Sequence, residues 1–276
     1  MAIDLHLHSK VSDGDYAPES VMGFAHEAGV SVLSLTDHDT VKGNAEASKA
    51  ASQFGMRFIP GIELSCLWAK TCIHVVGLGV ALDNEELNHT CSEIARIREN
   101  RALEIERRLA NLGIPDTIAE IRSLYPEVKN ISRAHFARVL LHRGIVKNEQ
   151  VAFDKFLGTK APAYVAVPWP ELKEGVRLLL NAGAVPVLAH PLRYSFKNPL
   201  MLEELVRDFV TAGGRGIEVV SGSQHPIYSP QCEAWAKEYA LYASAGSDFH
   251  RITPERPMPG CQPELPRGIP SVLEIL

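Results

Sequence analysis

The segment Ile3-Asp4-Leu5-His6-Leu7-His8-Ser9, close to the beginning of the chain, predicts the first element of the fold. Apolar and polar residues alternate strictly from position 3 to position 8, which is the period of a β-strand. The prediction is a strand with Asp4, His6 and His8 on one face. Two histidines at positions i and i+2 of a strand point the same way, so both imidazoles can reach one metal ion.

Strand and helix patterns alternate along most of the chain. The predicted strands are residues 3–8, 32–36, 57–60, 72–76, 185–189, 217–220 and 242–245. The predicted helices between them are residues 18–28, 44–54, 170–181, 199–212 and 230–239, several of which end at a glycine such as Gly29 or Gly55. This alternation predicts an α/β fold built on a parallel sheet or barrel.

The middle of the chain has a different character. Its helical patterns are residues 85–112, with a break near Asn100, and residues 116–124, 133–142 and 149–156. No strand pattern occurs among them. We therefore expect residues 83–164 to form an all-helical insertion domain between two parts of the α/β domain, residues 1–82 and 165–276.

The composition excludes several classes of protein. The chain has 276 residues, of which 46% are hydrophobic and 22% charged, as in ordinary globular proteins. Its net charge of −5 argues against a protein that coats DNA or RNA. Its five cysteines are irregularly spaced, so neither a disulfide framework nor a cysteine zinc site is expected. Without a signal-peptide pattern or a long apolar run, we expect a cytoplasmic protein with no membrane contact.

Histidines and carboxylates recur where the predicted strands end, and loops converge at that edge of a parallel sheet. A lone histidine after a strand is usually structural, and for His74 alone we would favour that interpretation. The joint occurrence of His-x-His, Asp-His-Asp and Asp-x-His motifs instead indicates a metal cluster. Mixed histidine and carboxylate ligands favour Mn, Fe, Zn or Co.

These motifs resemble those of the PHP (polymerase and histidinol phosphatase) family over residues 1–80 and 165–276. The segments that carry the resemblance are His6-Leu7-His8-Ser9 with Asp13, Thr36-Asp37-His38-Asp39, Glu63, His74, His190-Pro191 and Ser247-Asp248-Phe249-His250. The resemblance implies a distorted (β/α)7 barrel that binds two or three divalent metal ions, foremost Mn. Asp13 stands where many relatives have a histidine, which leaves the third metal position open.

The resemblance also implies which residues bind each metal ion. The first position would use His6, His8, Glu63 and Asp248. The second would use Glu63, His74 and His190, and the third Asp13, His38 and His250. Asp37 would orient a ligand, while Ser9 and Ser247 are expected to form hydrogen bonds with ligands. A pair of metal ions can activate water for attack on phosphorus, so no separate nucleophile is needed.

The helical region contains a candidate phosphate site. Ser132 is a predicted N-cap, and a helix N-terminus with an adjacent arginine is suited to phosphate. For Arg138 and His142 we favour a solvated basic face. The expected substrate-binding residues are Asp13, Ser132, Arg133, Ala134, His135, Lys160, Arg193, Ser223 and His225. His225 is also a candidate general acid; no other catalytic side chain is identified.

The predicted metal cluster and the predicted helix start at Ser132 are two places that can bind phosphate. Together they suggest a substrate with two phosphates. The whole chain resembles the PHP subgroup of nucleoside 3′,5′-bisphosphate phosphatases and 5′-to-3′ exoribonucleases. This implies removal of a 3′-phosphate from a nucleotide, or degradation of short 5′-phosphorylated RNA, and the sequence does not choose between them. The alternatives are a phosphomonoesterase of the histidinol-phosphate type and a non-catalytic module that binds metal or nucleotide.

Overall fold

The computed structural model describes residues 2–126, 128, 130–196, 198–225, 227, 229–254 and 256–276. Seven strands form one sheet in the order in which they occur along the chain. They are β1 (Ala2–Leu7), β2 (Val30–Leu35), β3 (Arg57–Trp68), β4 (Thr71–Leu78), β5 (Val185–Leu188), β6 (Gly216–Ser221) and β7 (Tyr242–Gly246). The predicted α/β class is confirmed, and all seven predicted strands are present.

Helices cover the outside of the sheet and form the region between β4 and β5. They are α1 (Pro18–Glu27), α2 (Asn44–Gln53), α3 (Glu85–Asn111), α4 (Thr117–Leu124), α5 (Arg133–His142), α6 (Glu149–Ala152), α7 (Leu172–Asn181), α8 (Leu200–Thr211) and α9 (Ser229–Glu238). The predicted break near Asn100 is wrong, because α3 is continuous for 27 residues. A π-helical turn, Phe153–Leu157, follows α6.

The predicted barrel is present, but not all of its strands are parallel. Strand β4 pairs antiparallel with both β3 and β5, whereas the other neighbouring strands are parallel. Strand β3 extends well past the predicted residues 57–60 and turns into β4 through Ala69 and Lys70, whose φ angles are 45° and 65°. Two positive φ angles are what a tight hairpin requires. In this hairpin Ser65 pairs with His74 across the two strands. Glu63, Ser65 and His74 therefore lie on one face of the sheet.

The sheet closes into a nearly complete barrel because the segment after β7 returns to β1. The backbone N–H of Asp248 donates to the carbonyl oxygen of His6 at 2.9 Å, and that of His8 donates to the carbonyl oxygen of Phe249 at 2.9 Å. This seam brings the motif at 247–250 beside the motif at 6–9. The carboxyl ends of the first and last strands therefore meet.

Separate hydrophobic clusters fill the barrel and the helical region. Leu5, Val32, Ile59, Val187 and further strand residues pack together with Val272 from the C-terminal segment. A second buried cluster draws its members only from residues 102–163, which run from α3 through the π-helical turn to the segment after it. This separate core supports an insertion domain, whose boundaries at residues 83 and 164 stay a prediction. In the part of the chain described, every helix is too short or too polar to cross a bilayer.

Gly246, the last residue of β7, lies very close to β1 across the barrel seam. A Cβ at this position would lie 2.3 Å from Cβ of His6 and 2.8 Å from its backbone nitrogen. We expect Gly246→Ala to lower the free energy of unfolding by about 1–3 kcal/mol, because neither strand can move without opening the seam. The measurement is urea unfolding of the metal-free protein, followed by circular dichroism.

The matched control is Gly23→Ala, in the middle of α1, where no atom lies within 4 Å of the added methyl group. This substitution should raise the free energy of unfolding by about 0.5–1 kcal/mol, since glycine is unfavourable inside a helix. Equal changes in the two variants would contradict the described packing at the seam.

Candidate active site

The nine predicted metal ligands converge at the carboxyl end of the barrel. Glu63 lies at their centre, inside β3 rather than in the expected turn after it, and is fully buried. Its Oε2 lies 3.2 Å from Nε2 of both His6 and His8 and 2.9 Å from Nδ1 of His38. Its Oε1 lies 2.9 Å from Nδ1 of His74 and 3.0 Å from Nε2 of His190. One carboxylate thus contacts five imidazole rings.

Asp248 completes a first group with His6, His8 and Glu63. Its Oδ1 lies 3.3 Å from Nε2 of His8 and 3.6 Å from Nε2 of His6, and the two ring nitrogens are 3.0 Å apart. All four side chains are buried, and one ligand atom from each lies within 4.8 Å of the others. This is the group expected for the first metal position.

Asp13 forms a further group with the histidines of two other loops. Its Oδ1 lies 3.3 Å from Nε2 of His250 and 3.9 Å from Nε2 of His38. His8 lies close enough to join these three residues. His38 is also grouped with Glu63 and His74, so His8 and His38 each adjoin more than one predicted metal position.

Several nitrogen and oxygen atoms of the cluster are arranged as ligands of divalent cations and not as hydrogen-bond partners of one another. Oε2 of Glu63, Nδ1 of His38 and Nδ1 of His74 are buried and have no directional hydrogen bond, although their separations are short. Such atoms point at a common space rather than at a partner atom. Neutral imidazoles with carboxylates are the ligands of first-row transition metals.

Burial and mutual charge shift the pKa values of the cluster strongly. Burial disfavours a charged His8, but hydrogen bonds with Asp248 and Glu63 outweigh it and raise the pKa of His8 to about 9. Burial also disfavours a charged His74, but the negative charge of Glu63 outweighs it and raises the pKa of His74 to about 10. Burial opposes ionisation of Glu63 too, yet the surrounding histidines hold its pKa well below its ordinary value. Without cations His8 and His74 keep protons, which metal ions must displace.

Two residues beside the cluster, Asp37 and Ser9, differ from expectation. Asp37 does not contact a predicted ligand through its carboxylate. It accepts hydrogen bonds at 2.7 Å from the backbone N–H of Ser9 and from the hydroxyls of Ser9 and Ser12, so it holds the loop after His8. The Ser9 side chain consequently does not reach a ligand. Asp4 accepts from the backbone N–H groups of Ser247 and Gly260 and does not join the cluster.

Glu218, which the sequence analysis missed, contacts the cluster from β6. It is 1% exposed, and its Oε1 lies 2.5 Å from Nδ1 of His6. Its Oε2 accepts a hydrogen bond at 2.7 Å from the backbone N–H of His190. The available signal was a single carboxylate within the apolar segment Gly216–Ser221.

A cleft of about 360 Å³ opens over the cluster and is bounded on its other side by the helical region. Of the predicted substrate-binding residues, Asp13, Ser132, Arg133, Ala134 and Arg193 line it. The cleft is also rich in guanidinium groups, from Arg98, Arg101, Arg133, Arg138, Arg193, Arg251 and Arg256. So many cations facing one cleft favour an anionic ligand.

The other predicted substrate-binding residues lie elsewhere. His135 is buried outside the cleft lining, and its Nδ1 accepts the backbone N–H of Ser132 at 3.0 Å in a capping box. Lys160 and His225 are exposed and outside the cleft lining. Ser223 is also outside it and lies 3.1 Å from the hydroxyl of Ser221. His135 thus has a structural role at the start of α5.

The interpretation of Arg138 as part of a solvated face is wrong. Its guanidinium is buried and donates at 2.8 Å to Oδ1 of Asp15 and to the carbonyl oxygen of Asp13. His142 does have an exposed side chain, with Nδ1 2.7 Å from Oε1 of Glu120. Arg138 thus joins α5 to the loop that carries a predicted metal ligand.

Arg98 and Arg101, on α3, were also missed by the sequence analysis. Arg98 donates to Oδ2 of Asp39 at 2.9 Å, and its guanidinium carbon lies 5.0 Å from the centre of the Trp169 ring. Nε of Arg101 is buried without a hydrogen-bond partner among the residues described. Burial, with Arg133 and Arg98 close by, lowers the pKa of Arg101 to about 9. A buried guanidinium with an unused donor is suited to a phosphate.

The chain is similar to proteins of one family. A family model described as "PHP domain" matches residues 4–143. The chain is 39% identical over 248 residues to a Chromobacterium violaceum protein named "3′,5′-nucleoside bisphosphate phosphatase", covering 90% of this chain and 87% of that protein. It is 36% identical over 247 residues to a Haemophilus influenzae "5′-3′ exoribonuclease", covering 90% of this chain and 89% of that protein.

A solved structure agrees over the whole chain. It is an amidohydrolase from Chromobacterium violaceum, described as having bound sulfate and no metal, and it matches with a TM-score of 0.94 and 36% identity. The match covers 100% of this chain and 95% of that one. The arrangement of barrel and helical region is therefore shared with an experimental structure.

The capping box of α5 makes a testable link between pH and stability. Burial, assisted by Arg138, lowers the pKa of His135 from 6.5 to about 4. The folded state therefore favours neutral His135. The contribution of the neutral ring to the free energy of unfolding is present above pH 6.5 and is lost as the pH falls toward 4. Glutamine forms the same capping box without titrating. We expect the wild type to lose up to about 3 kcal/mol more stability than His135→Gln over this range.

The measurement is urea unfolding of both proteins from pH 7 to pH 4.5. The other histidines are present in both proteins, so their effect on stability cancels when the two free energies of unfolding are subtracted. His89→Gln, at an exposed position of α3, is the control and should parallel the wild type. Parallel curves for His135→Gln and the wild type would contradict the assigned role of the neutral ring.

Proposed function

This chain belongs to the PHP domain family and is a phosphoester hydrolase, and from that premise we propose that it removes the 3′-phosphate from nucleoside 3′,5′-bisphosphates. The observation that carries the proposal is a single cleft with a histidine and carboxylate cluster on one side and arginines on the other. The cluster would receive the phosphate that is cleaved. The arginines of the helical region would bind the phosphate that is retained.

Two or three divalent metal ions, foremost Mn with Fe, Zn or Co as alternatives, would bind in the cluster. His6, His8, Glu63 and Asp248 would hold the first, Glu63 with His74 and His190 the second, and Asp13 with His38 and His250 the third. Such ions act as Lewis acids toward phosphoryl oxygens and supply a nucleophile at neutral pH. The unpartnered ring nitrogens and carboxylate oxygens of the cluster support this assignment.

Two arginines beside the cluster would bind and orient the reacting phosphate. Arg193 and Arg256 both line the cleft and lie 3.4 and 3.5 Å from Oδ2 of Asp248. Their guanidinium groups can donate to phosphoryl oxygens while Asp248 holds them in place. They would neutralise charge on the phosphoryl group during displacement.

The retained 5′-phosphate would lie at the start of α5, against Arg133 and Arg101. The Ser132 hydroxyl accepts from the Ala134 N–H at 3.1 Å, and the helix N-terminus favours an anion. The Arg133 guanidinium lies over the rings of Phe153 and Tyr164, at 5.6 and 5.9 Å from their centres, which fixes its direction. Arg101 supplies the unused buried donor. A substrate with one phosphate would leave these cations unpaired.

Short 5′-phosphorylated RNA is a second candidate substrate, because several relatives are named as exoribonucleases. The bond that breaks is the same, between phosphorus and the 3′-oxygen of the first nucleotide, but the phosphoryl group then carries the rest of the RNA. A volume of about 360 Å³ is at the small end of ligand pockets and favours a mononucleotide. A phosphatase of the histidinol-phosphate type would not need the arginines at the start of α5. We therefore favour the nucleoside bisphosphate and the RNA over histidinol phosphate as substrates.

The substrate class is tested by release of phosphate or nucleotide in the presence of Mn²⁺. The substrates are adenosine 3′,5′-bisphosphate, 3′-AMP, 5′-AMP, histidinol phosphate and a short 5′-phosphorylated RNA. We expect kcat/KM for the bisphosphate to exceed that for 3′-AMP at least tenfold, because a charge-assisted phosphate contact is worth about 1.5–3 kcal/mol. A preference for histidinol phosphate, or equal rates on the bisphosphate and 3′-AMP, would contradict the two-phosphate proposal.

The role of Arg133 is tested by Arg133→Ala. We expect KM for adenosine 3′,5′-bisphosphate to rise about 10–100-fold, since the variant loses contacts with the retained phosphate, while kcat/KM for 3′-AMP stays nearly constant. The measurement is steady-state kinetics on both nucleotides. Arg96→Ala, at an exposed position of α3 outside the cleft, is the control. An equal loss on both substrates would rule out a contact with the 5′-phosphate.

A further inference from the structure

Glu218 is the one charged side chain in the segment Gly216–Ser221, and it is nearly inaccessible to solvent. Both of its oxygens are used, one by the ring of His6 and the other by the backbone of His190. These two histidines belong to different proposed metal positions. We propose that Glu218 is a positioning residue that fixes the first and second metal positions together, an inference that rests on the proposed function.

The contact with His6 determines which ring nitrogen faces the cluster. Nδ1 of His6 lies 2.5 Å from Oε1 of Glu218, so the carboxylate holds the ring proton on Nδ1. Nε2 then presents its lone pair to the cluster, where it lies 3.2 Å from Oε2 of Glu63 and 3.6 Å from Oδ1 of Asp248. The carboxylate also makes His6 a stronger electron donor.

The contact with His190 supports an unfavourable backbone conformation. His190 has φ and ψ angles of 30° and 56°, in the left-handed region, and it precedes Pro191. This region is costly for residues other than glycine, and a following proline restricts the backbone further. Oε2 of Glu218 accepts the His190 N–H at 2.7 Å at this point. With its backbone held, the His190 ring lies with Nε2 3.0 Å from Oε1 of Glu63.

The geometry requires a carboxylate and not merely a polar side chain. Two N–H groups point at Glu218, so both of its terminal atoms must accept hydrogen bonds. A glutamine offers one oxygen and one NH₂ group, and the NH₂ group would face an N–H donor. Glu218→Gln therefore keeps the volume of the side chain and loses one of the two contacts, whichever way the amide turns.

The third proposed metal position provides the matched control. Asp13, His38 and His250 have no direct contact with Glu218 among the residues described. An acid-to-amide change at Asp13 should weaken that position alone. Glu218→Gln should weaken both positions that share Glu63, although Glu218 itself binds no metal.

The experiment is equilibrium dialysis of the whole chain against a series of Mn²⁺ concentrations, with metal content measured by mass spectrometry. The proteins are the wild type, Glu218→Gln, Glu218→Asp and Asp13→Asn. We expect Glu218→Gln to lower the affinity for two Mn²⁺ ions by about 10–100-fold, the range typical for loss of an outer partner of a metal ligand. Asp13→Asn should lower the affinity for at most one ion.

The second variant keeps the test decisive if Glu218→Gln does not fold, as judged by circular dichroism. Glu218→Asp retains two acceptor oxygens on a shorter side chain, and its affinities should fall between those of the wild type and the amide variant. Wild-type affinities in Glu218→Gln, or in a folded Glu218→Asp when the amide variant is unfolded, would overturn the proposal. So would the loss of a single ion in Glu218→Gln. A wild-type chain that binds no Mn²⁺ would instead overturn the proposed function, and this inference with it.

Discussion

The carboxylate of Glu63 is buried among five imidazole rings, and the arrangement of the barrel depends on satisfying its charge. A carboxylate out of contact with water is unfavourable unless positive charge lies close to it. Strands β1, β3 and β4 and the loops after β2 and β5 each supply a group of this cluster. Protonated histidines can balance the charge, but Nδ1 of His38 and Nδ1 of His74 have no directional hydrogen bond with it. Divalent cations satisfy the same atoms without protons, which is why the cluster is a metal site in our account.

The sequence predicts the parts of the site that are local in the chain. His6 with His8, the Asp37-His38 motif and the Asp248-x-His250 motif each lie at or just after the end of a strand, so the strand pattern alone places them together. The antiparallel direction of β4 was not predictable in this way, because Ala69 and Lys70 form the hairpin without a glycine or asparagine signal. Their positive φ angles are imposed by the pairing of β3 with β4.

The missed residues share a physical reason: their partners are distant in the sequence. Arginines on a charged helix such as α3 are typical of a solvated face, and only the fold brings Arg98 to Asp39. A carboxylate in a strand such as β6 has no local partner, and Glu218 meets His6 across 212 positions. The start of α5 was recognised, yet the same pattern fits a capping box and a phosphate site, and His135 forms the former.

The helical region and the cluster are held in one framework. Arg98 links α3 to Asp39 and Ser65, and Arg138 links α5 to Asp15 and the backbone of Asp13. The loops that carry Asp13 and His38 are therefore fixed from both sides. The spacing between the cluster and the arginines is thereby set, and this spacing would select substrates by the distance between their two phosphates.

The most direct test of this account is an anomalous diffraction measurement at the manganese edge. Crystals of the chain would be grown with Mn²⁺ and a non-hydrolysable analogue of adenosine 3′,5′-bisphosphate. We expect manganese peaks in contact with Glu63, one phosphate at those peaks and the other beside Arg101 and Arg133. Manganese absent from the cluster, or a nucleotide whose second phosphate lies away from these arginines, would contradict it.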